Sequence, residues 1–136
     1  MAKSILVIDD DKLVLLTVKR LLLREGYDVS TALSGAIALK KMEGADFDLI
    51  VSDIKMPNMD GIETVRKIRE QLSQSGKKPV PEIFITAYAQ EDIYHKALTL
   101  NAAGYIEKPF DVKTLVQTVR RAIGDLDSAN AGPLYN

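Results

Sequence analysis

Carboxylates, a hydroxyl and an ammonium group occur where short apolar runs of this sequence end. Asp9 and Asp10 end the first run, and Asp53 closely follows another. Thr86 ends a third run, and Lys108 lies two residues after a fourth. If these runs are parallel strands, their carboxyl ends lie at one edge of a sheet, which is where such sheets bind ligands. The spacing therefore predicts one polar site that four strands build together.

The charge of this predicted site indicates its chemistry. Two carboxylates about 4 Å apart repel each other by roughly 4 kcal/mol at an effective dielectric constant of about 20. The single charge of Lys108 does not cancel three carboxylates, whereas a hard divalent cation would. A set of oxygen ligands suits Mg²⁺ better than zinc. We therefore expect a magnesium site rather than acidic residues that only solvate loops.

The spacing of apolar residues indicates the elements that would position the site. Runs typical of buried strands cover residues 5–8, 49–51, 83–85 and 105–106, and a weaker run covers 28–32. Between the runs, apolar residues recur every three or four positions, as in helices that bury one face. Five alternating units predict an α/β fold, a doubly wound parallel sheet with helices on both faces.

Polar residues mark the expected starts of helices, and glycines mark their ends. Asp11, Ser34 and Asp111 stand just before helical patterns, where their side chains can accept hydrogen bonds from amides of the first turn. For Asp11 we favour this capping role over cation binding. Gly26 and Gly124 follow the first and last helical patterns, where a glycine commonly ends a helix.

Composition excludes several classes of protein. The chain has 136 residues, 18 basic and 19 acidic side chains and no cysteine. This length fits one domain, the balanced charge offers no field for nucleic acid, and disulfides and thiolate metal sites are excluded. The first apolar stretch is too short for a signal peptide or a membrane span, so we expect a cytoplasmic protein without a membrane partner.

The apolar pattern also predicts the bounds of the domain. It covers residues 1–124 and stops there, so residues 125–136 are expected to be a flexible tail or the start of a linker. Residues 74–81 contain Gly, Lys and Pro and predict a surface loop. Gly61 is expected to permit a tight turn into the third helix.

Four segments together resemble the receiver domain of response regulators, as in chemotaxis regulators. They are ILVIDDD at 5–11, LIVSDIKMPNMDG at 49–61, FITA at 84–87 and GYIEKPF at 104–110. Their order and spacing match over residues 3–124. The resemblance implies the flavodoxin-like strand order 2-1-3-4-5 and the role of a phosphoacceptor in two-component signalling rather than that of an enzyme.

The resemblance also implies which residues hold the phosphoryl group and the metal. Asp53 aligns with the phosphorylated aspartate, and Asp10 with a direct Mg²⁺ ligand. Asp9 aligns with an acidic neighbour that acts mainly through water. The backbone carbonyl of Lys55 is the third ligand. A carboxylate can attack phosphorus when a cation neutralises the charge on both groups, which supports these roles.

The remaining implied roles concern the phosphoryl oxygens, the switch and the phosphoryl lifetime. Lys108 and the Thr86 hydroxyl would each bind a phosphoryl oxygen, and the bond between Lys108 and the following proline would be cis. Movement of Thr86 would let the ring of Tyr105 turn inward, which changes a surface made by the fourth helix, the fifth strand and the fifth helix. Lys55 and Tyr88 border the path of attacking water and would set the phosphoryl lifetime.

The partners implied by the resemblance are proteins. A sensor histidine kinase or a histidine phosphotransfer protein would supply the phosphoryl group, because the chain has no ATP-binding motif of its own. A downstream protein or an output domain would receive the signal, without direct contact between this domain and nucleic acid. Homodimerisation on phosphorylation is left open.

Other functions fit the motifs less well. A hydrolase that uses an aspartyl-phosphate would carry its acid/base aspartate two residues after Asp53, where this chain has Lys55. A nucleotide-binding or flavin-binding module would need a glycine-rich loop after the first strand, where three consecutive aspartates would repel phosphate. A purely structural interaction domain would leave the acidic cluster unexplained.

Overall fold

A computed structural model describes residues 2–87 and 92–124 of the chain. Strands and helices alternate along this part of the sequence, as the apolar spacing predicts. The elements, in chain order, are β1 (Ser4–Ile8), α1 (Lys12–Arg24), β2 (Asp28–Ala32), α2 (Gly35–Gly44), β3 (Leu49–Asp53), α3 (Gly61–Gln74), β4 (Glu82–Thr86), α4 (Asp92–Leu98), β5 (Gly104–Glu107) and α5 (Val112–Ile123).

The five strands form one parallel sheet in the order β2-β1-β3-β4-β5. Each crossover between parallel strands runs through a helix, which returns the chain from the carboxyl ends of the strands to their amino ends. The α/β class and the 2-1-3-4-5 order are therefore confirmed. In this order β1 and β3 are neighbours at the centre, and β4 and β5 lie beside them, so the four strands with polar ends are adjacent.

Side chains of each strand alternate between the two faces of the sheet, and different helices cover each face. Ile5 and Val7 pack with α1 and α5, whereas Leu6 and Ile8 pack with α2 and α3. Phe84 belongs to a third cluster, with α3 and α4. Burying one such side chain stabilises the fold by about 1.5–3 kcal/mol, so a slip of one residue in register is strongly disfavoured. This fixes the height at which each strand ends.

Helix starts are capped by the predicted residues. Asp11 accepts hydrogen bonds from the amides of Leu13 and Val14, at 2.9 and 3.4 Å. Ser34 accepts from Ile37 N at 3.2 Å, and Asp111 from Thr114 N at 2.7 Å. Asp60 caps α3 in the same way, although it was not among the predicted caps. At the other end of α5, Gly124 adopts the left-handed conformation with φ 85°.

β4 begins one residue earlier than its apolar run, at the buried Glu82. The carboxylate of Glu82 receives two hydrogen bonds from Arg69 of α3, at 2.8 and 2.7 Å. Arg69 also donates to the carbonyl of Leu100 at 2.7 Å, just after α4. A charged residue at the start of a central strand is tolerated here because its partner comes from a neighbouring helix.

Two predictions concern residues that lie outside the described part of the chain. The segment 125–136, expected to be a tail or linker, is one of them, and Tyr88 is the other. The loop expected at 74–81 is present between α3 and β4, with Gln74 still helical. Among the described helices, none combines the length and apolar character needed to span a membrane.

Candidate functional site

Three carboxylates meet at the carboxyl edge of the sheet. Ile8 pairs with Ser52 across β1 and β3, so Asp9 and Asp53 follow side by side. Ligand oxygens of Asp9, Asp10 and Asp53 all lie within 4.8 Å of one another. Asp9 and Asp53 are buried and Asp10 is exposed, so the cluster opens to solvent on one side. The predicted convergence of these residues is observed.

Lys108 reaches the same cluster from the end of β5. Its Nζ lies 3.3 Å from Asp9 Oδ2 and 3.7 Å from Asp53 Oδ1. Its backbone amide donates to the carbonyl of Thr86 at 2.8 Å, which ties the turn after β5 to the end of β4. The bond between Lys108 and Pro109 is cis, as expected. Lys108 thus balances one unit of charge, and the three carboxylates bring three.

Burial and this excess of negative charge both affect the pKa values of the site. The pKa of Asp53 is raised from 3.8 to about 6, first by burial and then by the nearby carboxylate of Asp9, against the opposing effect of Lys108. The pKa of Asp9 is also raised, mainly by burial, although hydrogen bonds from the Asp11 amide and Lys108 favour its charged form. The cluster therefore favours uptake of a proton or of a cation.

The loop that follows Asp53 is held by its apolar side chains. Ile54 is fully buried among residues of α3, β4 and α4, and Met56 is buried against α2. Lys55 lies between them with an exposed side chain. Because both neighbours are anchored, the backbone of Lys55 is fixed beside the end of β3.

Gly61 brings the start of α3 against this loop. Its amide donates to Ile54 O at 2.7 Å, and a Cβ at this position would lie 2.0 Å from Asp53 O. Gly61 thus permits the turn by lacking a side chain, whereas the left-handed residue of the loop is Asn58, with φ 67°. Sequence spacing alone could not reveal this contact, because it depends on how α3 approaches β3.

Thr86 and Tyr105 lie on neighbouring strands of the same edge. Phe84 pairs with Tyr105 across β4 and β5, so Thr86, two residues further on, is the diagonal neighbour of Tyr105 on the same face. Thr86 is buried with 1% of its surface exposed. The Tyr105 hydroxyl donates to Ala97 O at 2.9 Å and accepts from Ala102 N at 3.2 Å. The ring of Tyr105 is therefore tied to the last turn of α4.

Comparison with known proteins identifies the family. The family model of the response regulator receiver domain matches residues 5–120. The chain belongs to this family. As a receiver domain of two-component systems it is a signalling domain, which agrees with the resemblance seen in the motifs.

Solved structures of receiver domains share the fold. The chemotaxis protein CheY4 of Vibrio cholerae superposes with a TM-score of 0.80 at 34% identity, over 90% of this chain and 99% of that chain. A CheY-like receiver domain protein from Methanospirillum hungatei gives a TM-score of 0.81 at 30% identity, over 92% of this chain and 96% of that one.

Longer relatives contain a similar receiver domain. The alkaline phosphatase synthesis transcriptional regulatory protein PhoP of Bacillus subtilis is 38% identical over 120 residues, which are 88% of this chain and 48% of that protein. The transcriptional regulatory protein ZraR of Escherichia coli is 34% identical over 128 residues, which are 94% of this chain and 28% of that protein. The chain spans about half of the first relative and less of the second.

Proposed function

We propose that this receiver domain is a phosphoacceptor whose Asp53 is phosphorylated in a Mg²⁺-dependent reaction. The observation that carries the proposal is the convergence of Asp9, Asp10, Asp53 and Lys108 at one edge of the sheet. A purely structural domain would have no use for three carboxylates that lie so close together, because their repulsion opposes folding.

The residues present suit a hard divalent cation. Every ligand atom of the cluster is an oxygen, and the pKa of Asp53 is raised first by burial and then by the carboxylate of Asp9. Asp10 and Asp53 would bind Mg²⁺ directly, Asp9 through water, and Lys55 through its backbone carbonyl. The cation would supply positive charge that offsets the repulsion between the carboxylate and phosphoryl oxygens.

The protein groups have distinct parts in the transfer. An ionised Asp53 oxygen forms a bond to phosphorus while the bond from phosphorus to the donor atom breaks, and the electron pair of that bond leaves with the donor. Lys108, now in contact with Asp9 and Asp53, would pair with a phosphoryl oxygen. The Thr86 hydroxyl would bind another phosphoryl oxygen, which reports the modification without taking part in bond making.

The same hydroxyl would start the conformational switch. If Thr86 moves toward the phosphoryl group, the ring of Tyr105 can turn inward toward the space that it leaves. This rotation breaks the bonds from the Tyr105 hydroxyl to Ala97 O and from Ala102 N, which hold the end of α4. The surface formed by α4, β5 and α5 would then change its shape for a partner.

The phosphoryl lifetime would depend on two residues outside the cluster. Lys55 stands two residues after Asp53 with an exposed side chain and offers an ammonium group rather than a base to water. Tyr88 stands two residues after Thr86, and an aromatic ring there would hinder in-line attack. We expect both to slow hydrolysis of the phosphorylated protein.

The proposed partners follow from this chemistry. A sensor histidine kinase or a histidine phosphotransfer protein would donate the phosphoryl group. A downstream protein or an output domain would respond to the signal. We place the reaction in the cytoplasm, with residues 1–124 as the receiver domain and 125–136 as a tail or linker.

Intact-mass measurement tests the proposal. The protein is incubated with acetyl phosphate, with Mg²⁺ or with EDTA. We expect the mass of one phosphoryl group to be gained only with Mg²⁺, and not by Asp53→Asn. Asp46→Asn, at a side chain that is 88% exposed and precedes β3, at the other end of the strand from Asp53, is the matched control and should be modified like the parent. Equal modification of Asp53→Asn and the parent would contradict the proposal.

A further inference from the structure

The first turn of α2 approaches α3 and the loop after Asp53 unusually closely. A Cβ on Gly35 would lie 2.2 Å from Thr64 Oγ1 and 2.8 Å from Met59 Sδ. Both distances are shorter than carbon, oxygen and sulfur atoms tolerate, so an added methyl group would have to displace the Thr64 hydroxyl and the Met59 thioether. Gly44, the last residue of the same helix, has no atom within 4 Å of an added Cβ. The close approach is therefore local to the start of α2.

Both neighbours of Gly35 belong to, or are bonded to, the segment that carries Lys55. Met59 lies within the loop between β3 and α3. Thr64 Oγ1 donates to the carbonyl of Asp60 at 2.8 Å, and Asp60 is the residue that joins this loop to α3. A side chain at position 35 would therefore press on the far end of the loop whose near end is Asp53.

α2 contacts the loop at a second point. Met56, which directly follows Lys55, is 8% exposed and packs in the cluster that contains Ala38 and Met42 of α2. The loop therefore lies against α2 on both sides of Pro57, at Met56 and at Met59. Lys55, whose carbonyl we assign to Mg²⁺, lies next to that contact.

We propose that Gly35 is a positioning residue for the cation site, through the contact of α2 with Met59 and Thr64. The inference rests on the proposed function, in which the carbonyl of Lys55 and the carboxylates of Asp10 and Asp53 bind Mg²⁺. Gly35 touches neither the cation nor the phosphoryl group. Because Gly35 has no side chain, α2 lies close enough to Met59 to hold the loop that carries Lys55 in position.

The direct test is the Mg²⁺ dissociation constant, measured by calorimetric titration of the purified protein without phosphodonor. Gly35→Ala should weaken Mg²⁺ binding by about tenfold, the lower end of what lost support around a metal ligand costs. Gly44→Ala adds the same methyl group to the same helix in open space and should bind like the parent. Val119→Ala, fully buried on the opposite face of the sheet, is the control for lost stability.

Each outcome decides the inference. A loss of Mg²⁺ affinity in Gly35→Ala that Gly44→Ala and Val119→Ala do not share supports it. Parental affinity in Gly35→Ala, or an equal loss in Val119→Ala, overturns it. If Gly35→Ala does not fold, Met59→Ala is decisive, because it removes the contact from the other side and should also weaken binding. Absence of Asp53-dependent Mg²⁺ binding in the parent would instead refute the proposed function.

Discussion

Asp53 is only 8% exposed and shares its surroundings with the carboxylate of Asp9. Its pKa of about 6 lies above its ordinary value of 3.8, so the folded protein holds the proton of Asp53 more tightly than the unfolded chain does. The stabilising effect of this proton is complete below about pH 4 and is lost as the pH rises through 6. Asp53 therefore opposes folding at neutral pH when no cation is bound.

This sign gives a prediction for Asp53→Asn in EDTA. Above pH 6 the variant should be more stable than the parent, by on the order of 2–3 kcal/mol, because the amide carries no charge. The difference should shrink toward zero at about pH 4. Urea unfolding between pH 4 and 8 measures it, with Asp46→Asn as the control. A parent that is as stable as Asp53→Asn at pH 8 would show that burial beside Asp9 does not destabilise the ionised form of Asp53.

Residue patterns also explain why much of the site was predictable. Asp9, Asp10, Asp53, Thr86 and Lys108 stand at strand ends, and strand ends are determined by local apolar runs. The close approach of Gly61 to Asp53 O was not predictable, because it depends on how α3 approaches β3. The role of Tyr88 remains a prediction, since that residue lies outside the described part of the chain.

Among the elements, the end of α4 is held from two sides. The hydroxyl of Tyr105 bonds to Ala97 O and Ala102 N, and Arg69 bonds to Leu100 O. These contacts join α4 and the turn after it to β5 and to α3. The proposed switch acts on the first of them and leaves the second in place, so the two contacts should contribute differently to stability and to signalling.

Tyr105→Phe tests the first contact. The ring remains, but Ala102 N loses the hydroxyl as its acceptor and Ala97 O keeps its bond from Leu100 N, so the change should cost about 1–2 kcal/mol of unfolding free energy. Amide exchange of residues 97–102 should accelerate. Tyr94→Phe, whose ring packs edge-on against Tyr105 with centroids 6.2 Å apart, is the matched control. Equal exchange rates in the two variants would mean that the Tyr105 hydroxyl does not hold α4.

Arg69→Met tests the second contact. Glu82 has 4% of its side chain exposed and would keep a buried carboxylate without its guanidinium. We expect a loss of about 2–3 kcal/mol, less than for a fully buried pair because Arg69 is 37% exposed. Arg69→Met combined with Glu82→Gln should recover part of the loss in urea unfolding. Lys77→Met, which breaks the exposed pair with Asp46, should cost little. A similar loss in Lys77→Met and Arg69→Met would contradict the account.

The same pair shows why the start of β4 was missed. The apolar run predicts this strand at 83–85, because Glu82 is charged and lies outside the run. Its charge is compensated by Arg69, which is 13 residues away in sequence and comes from another element. Capping residues such as Ser34 and Asp111 were predicted correctly because their partners lie within the next turn of the chain.

At the scale of the whole molecule, the strand order brings four polar strand ends to one edge. The alternation of strands and helices predicts a parallel sheet, but it does not select the order 2-1-3-4-5, which came from the resemblance to receiver domains. The order matters because it makes β1 and β3, whose ends carry the carboxylates, direct neighbours. The site is therefore a consequence of topology as well as of motif.

Cation binding should stabilise the whole fold. Mg²⁺ that binds the folded state alone raises the unfolding temperature by mass action, with about 2.7 kcal/mol gained at one hundred times the dissociation constant. Asp10→Asn should remove most of this gain. Thermal unfolding with and without Mg²⁺ measures it, and Asp11→Asn, a change at the α1 cap, is the control. An unchanged Mg²⁺ response in Asp10→Asn would show that the cation binds elsewhere.

The central claim is that Asp53 itself carries the phosphoryl group, and mapping of the modified residue tests it most directly. The protein is phosphorylated with acetyl phosphate and Mg²⁺, the acyl phosphate is reduced with borohydride, and peptides are sequenced by mass spectrometry. We predict that position 53 alone is reduced, in a reaction that requires both the phosphodonor and Mg²⁺. Reduction at Asp9 or Asp10 instead of Asp53, or no acyl phosphate at any position, would contradict the account.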